Sequence, residues 1–240
     1  MVGVLCLSKA VLATTCPSAT LIPAVPTLPY TQSLVCGVAD DMNAGTIPVC
    51  GSTAYYGGLE SVYTWTPVID YSGVTIAYSG QSWSGIFLFA GCPTSGGTCV
   101  ANITGSGTAK TLVVPGTLTA GVQYFIMFDT WPAPASPCPG SFTLNGTPNL
   151  ATPPTPTQAP GVPSCLAGTT IDVVGTPATD VEWYWQTTPG GTDMTDLYAG
   201  PYTIFANGTY YLRAYHTIAG IWSTPSSVNV TNFPTATTPP

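Results

Sequence analysis

The sequence predicts an all-β protein made of two domains in tandem. Apolar and polar residues alternate with period two through most of the 240 residues, and the joints between these runs are Gly, Pro and Asn. No segment shows a helical period. Many short strands separated by turns at this spacing are typical of β-sandwiches or β-barrels, so we expect each domain to have such an architecture.

The predicted strands of the first domain follow one another between residues 61 and 146. In SVYTWTPV, the alternation places Val62 and Thr64 on one face and Tyr63 and Trp65 on the other. KTLVVPG and VQYFIMFD are expected to pair with each other across the turn TLTAG. The other predicted strands of this domain are VTIAYS, GIFLFAG and SFTLNG.

The strands that we predict in the second domain are TIDVVG, DVEWYWQTT, PYTIFA, GTYYLRAYHT and SSVNVT. A proline-rich segment, TPNLATPPTPTQAPGVPS, precedes them, and its prolines favour an extended, semi-rigid spacer. Similar Thr/Pro tracts follow the last strand of both domains, so we expect further modules after this chain. The predicted parts are a lead-in (1–15), the first sandwich (16–147), a Thr/Pro-rich linker (148–164), the second sandwich (165–233) and the start of a further linker (234–240).

Charged residues make up only 5% of the chain, and the basic ones stand alone at Lys9, Lys110 and Arg213. Binding to nucleic acid needs clustered Lys and Arg, so a formal charge of −7 argues against this class of partner. The same charge argues against an anionic membrane surface, and no stretch is long enough to insert directly into a bilayer.

Eight cysteines without close C-x₂-C pairs favour disulfides over zinc ligation. Disulfides require an oxidising compartment, so we expect an extracellular or cell-surface protein. The N-terminus has no basic region and Lys9 interrupts its apolar run, unlike a signal peptide, so we interpret the chain as a segment of a longer secreted protein. The predicted pairs are Cys92 with Cys99, Cys36 with Cys50, and Cys16 with Cys138, whereas Cys6 and Cys165 stay unassigned.

The first domain resembles the bacterial pre-peptidase C-terminal type of domain over roughly residues 16 to 146. The segments that carry the resemblance are ESVYTWTPVIDYSGVTIAYSG, IFLFAGCPTSGGTCVA, LTAGVQYFIMFD and CPGSFTLNG. The resemblance implies a jelly-roll-like β-sandwich appended to a secreted protein.

The second domain resembles the immunoglobulin-like domains in large surface proteins of Bacteroidota, through Cys165, VEWYWQTTPGGT and PYTIFANGTYYLRAYH. That family often carries a second cysteine near the last strand, whereas this chain has IWSTPSS there, which leaves Cys165 without that partner. Chains that combine these two domains are often adhesins, including gliding-motility adhesins exported by the type IX system. The resemblance therefore implies an adhesive role.

Catalytic constellations are poorly supported by the sequence. A serine nucleophile would have to use the lone His216, and there is no G-x-S-x-G elbow, so we interpret His216 as an exposed strand residue. A glycosidase would need two carboxylates about 5 to 10 Å apart. Nothing in the sequence brings any two of the candidates together, and Asp70 is expected to cap a turn. These candidates are Glu60, Asp70, Asp129, Asp172 and Glu182.

The segment ADDMNAG offers hard oxygen ligands at Asp40, Asp41 and Asn43, and Asp129 could join them from a distance. Ca²⁺ takes six to eight oxygens, which an irregular loop can supply with help from backbone carbonyls. A structural calcium ion is therefore one hypothesis for this loop, and no other cofactor is expected. The alternative is a turn rich in Asp and Asn that needs no metal.

Aromatic residues form the third constellation. Trp183 and Trp185 share one strand face and Tyr184 takes the other, so one of these faces is core and the other is outside. Trp83 and Trp131 lie in predicted loops, where aromatic side chains are more often exposed. An exposed Trp can stack on a sugar ring or anchor a protein interface, so Trp83, Trp131 and Tyr184 are candidate binding residues.

Three hypotheses for the function follow. The first is a non-catalytic structural or adhesive segment of a long extracellular bacterial surface protein or filament. Its partners would be other modules of the same chain, copies of itself, or surface glycans. The second is a carbohydrate-binding accessory module of a secreted hydrolase. An enzyme in its own right is the third, and it would need a cleft that holds two carboxylates.

Overall fold

The computed structural model describes residues 16–132, 135–161, 163–164, 167–231 and 233. These residues form seventeen strands and three single-turn 3₁₀ helices, which confirms the prediction of an all-β protein. The chain divides into two compact units, and the boundary falls between Pro148 and Asn149. The predictions for 1–15 and 234–240, and the pairing of Cys6 and Cys165, lie outside the described residues.

The first domain is a sandwich of two sheets. Its strands are β1 (Thr20–Leu21), β2 (Tyr30–Ser33), β3 (Ser61–Trp65), β4 (Tyr71–Ser79), β5 (Ser84–Ala90), β6 (Thr98–Gly105), β7 (Ala109–Val113), β8 (Thr117–Leu118), β9 (Tyr124–Thr130) and β10 (Ser141–Pro148). Sheet A has the order β1-β3-β9-β5-β6, in which only the β1–β3 pair is parallel. Sheet B has the order β2-β10-β4-β7, with β8 also paired to β4.

Aromatic side chains fill the space between the two sheets. The Tyr63 and Phe128 rings of sheet A contact the Phe142 ring of sheet B, with centroids 4.7 and 5.1 Å from it. Tyr63 and Trp65 are both buried on this face, as the alternation of SVYTWTPV predicts. Such tilted aromatic pairs add about 0.5 to 1.5 kcal/mol each beyond the burial of their area, so this layer holds the sandwich together.

The opposite face of sheet A is buried beneath a loop, residues 40–58, which we call the covering segment. Met42, Tyr55 and Tyr56 of this segment pack against Phe87 and Met127 of the sheet. Burial on both faces explains why GIFLFA and YFIMF are continuous apolar runs, because a strand with one wet face would alternate.

The predicted pairing of KTLVVPG with VQYFIMFD is wrong. Strand β7, which overlaps the first segment, pairs with β4 in sheet B, whereas β9, which overlaps the second, lies between β3 and β5 in sheet A. The reason is their burial, because β7 alternates between exposed and buried residues as an edge strand does, and β9 is buried throughout. Strand β6 is not among the strands named above; it follows β5 across the turn-rich segment PTSGG and pairs with it.

The predicted disulfide pairs are also wrong, although the six cysteines in them are all bonded. The observed pairs are Cys16–Cys92, Cys36–Cys138 and Cys50–Cys99. Cys99 lies opposite Phe89 in the β5–β6 register, so its side chain faces the covering segment and meets Cys50 instead of Cys92. Cys36 and Cys138 each lie three residues beyond the Ser33–Ser141 pair of β2 and β10, which makes them opposite neighbours.

The second domain also consists of two sheets. Its strands are β11 (Thr157–Gln158), β12 (Thr169–Asp172), β13 (Val181–Gln186), β14 (Tyr202–Ile204), β15 (Gly208–His216), β16 (Ile221–Trp222) and β17 (Ser226–Val230). One sheet has the order β11-β12-β14, and in the other β15 pairs with β13, β16 and β17. Trp183, Trp185 and Leu212 form the centre of the core.

Much of the predicted linker belongs to the second domain. Strand β11, inside the range 148–164, pairs with β12, and Leu150 packs against the core of this domain. Pro153 and Pro156 are buried, and the segment borders an apolar groove of about 290 Å³ beside Trp183. Prolines favour an extended backbone, and an edge strand is extended as well. Strand β11 itself consists of Thr157 and Gln158, which, unlike proline, have backbone amides that can donate hydrogen bonds.

Candidate functional site

Trp83 and Trp131 lie side by side at one end of sheet A. Trp83 directly precedes β5 and Trp131 directly follows β9, and these strands are antiparallel neighbours with Ser84 opposite Thr130. The two indole rings have centroids 6.3 Å apart and planes inclined at 63°. Trp83 is 48% exposed and Trp131 is 44% exposed. The structure thus brings together the two tryptophans that the sequence singled out separately.

The backbone holds Trp83 in an unusual conformation. Its φ angle is +51°, in the left-handed region that a bulky side chain rarely adopts. The Trp83 carbonyl accepts a hydrogen bond from the Trp131 amide, and the adjacent Ser84 hydroxyl donates to the Gln81 carbonyl. Local strain of this kind persists only where the surroundings stabilise it, and it is frequent at binding sites.

The covering segment supports Trp131 from below. The Tyr55 ring contacts the Trp131 ring edge-on, with centroids 5.9 Å apart and planes at 82°, and Tyr55 itself is buried. A Cβ at Gly57 would lie 2.9 Å from Pro132, so only glycine allows the segment to approach this close. Trp83, Trp131 and Tyr55 are called the aromatic corner below.

Two buried carboxyl groups lie next to the aromatic corner. Ser61 pairs with Phe128 in the β3–β9 register, so one step further places Glu60 opposite Asp129 on the covered face of sheet A. Both side chains are fully buried. The sequence did not bring these carboxylates together, because each lies at a strand end whose partner only the register reveals.

Both carboxyl groups bind the backbone of the covering segment. Glu60 Oε1 accepts hydrogen bonds from the amides of Asp41 and Met42, and Asp129 Oδ1 accepts one from the amide of Gly58. A Cβ at Gly58 would lie 2.1 Å from Thr130 Oγ1 and 2.8 Å from Asp129 Oδ1, so this contact requires glycine. The pair therefore fixes the loop that supports the aromatic corner.

The environment of Asp129 strongly favours its protonated form. Burial raises the pKa of this carboxyl to about 9, and repulsion from Glu60 and Asp40 acts in the same direction. Hydrogen bonds from the amides of Thr130 and Gly58 oppose this shift without cancelling it. Asp129 Oδ2 is buried and has no hydrogen-bond partner among the described residues. At neutral pH Asp129 is consequently uncharged.

The calcium site that was one hypothesis for this loop is not assembled among the described residues. Asn43 uses its side chain within its own turn, because Oδ1 accepts from the Gly45 amide and Nδ2 donates to the Asp40 carbonyl. Within the described part of the chain, no three Asp, Glu, His or Cys side chains converge as metal ligands would. Asp40 is exposed, whereas Asp129 is buried under the covering segment.

Tyr184 is not the exposed platform that the sequence suggested as one possibility. It lies on the face opposite Trp183 and Trp185, but Trp222 and Tyr215 cover it and it is only 6% exposed. The Tyr184 hydroxyl donates to Glu182, and this bond is the main reason that the pKa of the phenol rises to about 12. The prediction failed because β16 adds a Trp that the alternation of β13 does not show.

The other catalytic candidates have structural roles. His216 is buried rather than exposed, and its Nδ1 accepts a hydrogen bond from the Ala219 amide in the following turn. Asp70 Oδ1 accepts from the amide of Ala120, 50 residues away in the sequence, so it does not cap its own turn as predicted but ties two distant loops together. Asp172 accepts from the Tyr198 hydroxyl. None of these contacts forms part of a nucleophile–base pair.

Among the described residues, no helix is long and apolar enough to cross a membrane. Neither a comparison with protein-family models nor a search of curated proteins finds a match for this chain.

Proposed function

We propose that this chain is a non-catalytic adhesive segment of a long extracellular surface protein, and that its first domain attaches through the aromatic corner. The single observation that carries the proposal is the juxtaposition of Trp83 and Trp131, half exposed and 6.3 Å apart, on a strained backbone. Tryptophans that stay exposed in pairs are typical of contact residues, because each buries a large area when a partner covers it.

Three further features support an extracellular segment. Disulfides such as Cys16–Cys92 and Cys36–Cys138 are typical of proteins in oxidising compartments, which agrees with an extracellular setting. The tandem sandwiches suit an array in which many weak contacts add up. The resemblance to pre-peptidase C-terminal and immunoglobulin-like domains of Bacteroidota extends the proposal to a cell-surface adhesin of that group.

The test is adhesion of beads that display the chain to a panel of bacterial, plant and animal cell surfaces. Wild-type beads are expected to adhere to at least one surface, and beads displaying Trp83→Ala or Trp131→Ala are expected to lose most of that adhesion. Leu21→Ala serves as the control, because Leu21 is an exposed apolar residue of the same domain outside the aromatic corner. Equal adhesion of the Trp83→Ala, Trp131→Ala and wild-type beads would refute the proposed site.

The second candidate function is a carbohydrate-binding accessory module. The same pair favours it, because an indole face stacks on the apolar face of a sugar ring. A glycan array distinguishes the candidates: selective binding to one polysaccharide that Trp83→Ala abolishes supports the accessory module, whereas adhesion to cells without glycan selectivity supports the first proposal.

A further inference from the structure

Acidic groups outnumber basic ones in the described part of the first domain, which holds Asp40, Asp41, Glu60, Asp70 and Asp129 against Lys110. Asp129 lies at the end of β9, two residues before Trp131, but it is uncharged at neutral pH and adds no charge there. Glu60 lies opposite Asp129, and both Glu60 and Asp40 are close enough to raise the pKa of Asp129 by repulsion. With Asp129 neutral, the described part of the first domain still has four acidic groups against one lysine.

Basic side chains in the described part of the first domain do not offset the charge of its acidic groups. Its only basic side chain among the described residues is Lys110, which is 8% exposed. The Lys110 ammonium donates to the hydroxyl of Ser84 and to the carbonyl of Gly107. Ser84 lies on the face of sheet A opposite to Asp129, so this cation is directed into the interior of the sandwich. The net negative charge of the domain attracts cations and repels anions.

The aromatic corner itself suits a small cation. The face of an indole carries negative charge density, and a cation is attracted when it lies within about 6 Å of the ring centroid. With centroids 6.3 Å apart and planes at 63°, the two tryptophans form a corner in which one cation can contact both rings.

We infer that the aromatic corner binds an organic ammonium group, such as a quaternary amine, through Trp83 and Trp131. The inference rests on the proposed function, since it names the chemical class of ligand for the same surface. Cation–π attraction at exposed rings is weak, so the dissociation constant of a single site is expected on the order of 1 mM. Adhesion would then depend on many sites along an array.

The test compares choline with 3,3-dimethylbutan-1-ol, which has the same shape without the charge. Titrations of the full chain, followed by NMR shifts of the indole N–H groups, are expected to show choline binding about fivefold more tightly than the alcohol. Choline binding is expected to weaken between 0.01 and 0.15 M salt, as the Debye length falls from about 30 to about 8 Å. Trp83→Ala should abolish it.

Asp40→Asn provides the matched electrostatic variant, because Asp40 is exposed and the substitution removes a charge with almost no change in shape. This variant is expected to weaken choline binding about twofold and to leave binding of the alcohol unchanged. Equal affinities for choline and the alcohol, or no choline binding, would overturn the inference. These results are distinct from failure of the proposed function, which is measured by the adhesion of Trp83→Ala beads and requires no choline.

Discussion

The Trp131 amide donates a hydrogen bond of 2.8 Å to the carbonyl oxygen of Trp83. This bond extends the β5–β9 ladder one step past Ser84 and Thr130, so the strand that carries one indole also fixes the backbone of the other. The position of the pair is therefore determined by the rigid sheet, although both residues lie at strand ends. A site on a rigid element requires little ordering when a ligand binds.

Trp83→Gly should separate binding from stability. Glycine adopts the φ of +51° without the strain that Trp83 bears, and this gain offsets the lost contact with Trp131. We expect the free energy of unfolding to stay within about 1 kcal/mol of wild type while adhesion is lost. Urea denaturation and the bead assay measure the two quantities. Retained adhesion in a folded Trp83→Gly chain would argue against a role for this indole.

Asp129→Asn should stabilise the first domain at neutral and mildly alkaline pH. The pKa of Asp129 is about 9 in the folded protein, against about 3.9 for an unfolded chain. Between these values the folded state binds more protons than the unfolded state, so this group lowers stability progressively as pH rises from about 4 to about 9. Asn keeps the acceptor for the Gly58 amide and carries no charge.

Thermal melts of both proteins from pH 5 to pH 9 measure this effect. The free energy of unfolding of Asp129→Asn is expected to exceed that of wild type by at least about 1 kcal/mol at pH 8, and to vary less with pH. The titratable groups around Asp129 are Glu60, Asp40, Asp41 and Tyr56. Asp70→Asn is the control in the same domain. The raised pKa of Asp129 would be contradicted if the free energy of unfolding of the wild type rose steadily from pH 5 to pH 9 and that of Asp129→Asn stayed below it.

The disulfide pairs should be recovered by peptide mapping without reduction. We expect Cys50 linked to Cys99 and Cys36 linked to Cys138, with sequence separations of 49 and 102 residues. Replacing Cys36 and Cys138 together by serine should cost about 2 to 5 kcal/mol, because the bridge restricts a long loop in the unfolded chain. A Cys92–Cys99 peptide in folded protein would show that the covering segment is attached differently.

The domain boundary can be tested with two fragments. A fragment of residues 149–233 retains β11 and Leu150, so it is expected to unfold cooperatively on heating. A fragment of residues 165–233 lacks the partner of β12 and part of the core, so it is expected to be markedly less stable or unfolded. Differential scanning calorimetry compares them. Equal melting temperatures would mean that the segment before residue 165 is only a linker.

Alternation predicted most strands correctly, because each strand with one wet face shows period two in its own residues. Continuous apolar runs such as YFIMF in β9 also predict strands. Which strands they pair with depends on burial of both faces of the sheet, and the covering segment creates that burial. The predictions of the partner of β7 and of the disulfide pairs were wrong for a related reason. Both depend on register between distant strands, as the meeting of Cys99 with Cys50 shows.

The candidate site was predicted in part. Exposure of Trp83 and Trp131 follows from their positions between strands, and this prediction is confirmed. Their contact, and the Glu60–Asp129 pair beside them, depend on the registers of β5 and β3 with β9. The sequence did carry one signal for this site. Glu60, in GLES, lies just before one predicted strand and close to a glycine, and Asp129, in FDTW, lies at the end of another and close to a tryptophan.

The most direct test of the account is hydroxyl-radical footprinting of the chain bound to a surface to which it adheres. The measured quantity is the oxidation rate of each exposed side chain in the bound and free protein. Trp83 and Trp131 are expected to be protected severalfold on binding, while the exposed Leu21 and Phe205 react equally in both states. Unchanged oxidation of both tryptophans, with protection elsewhere, would contradict the claim that the aromatic corner is the adhesive surface.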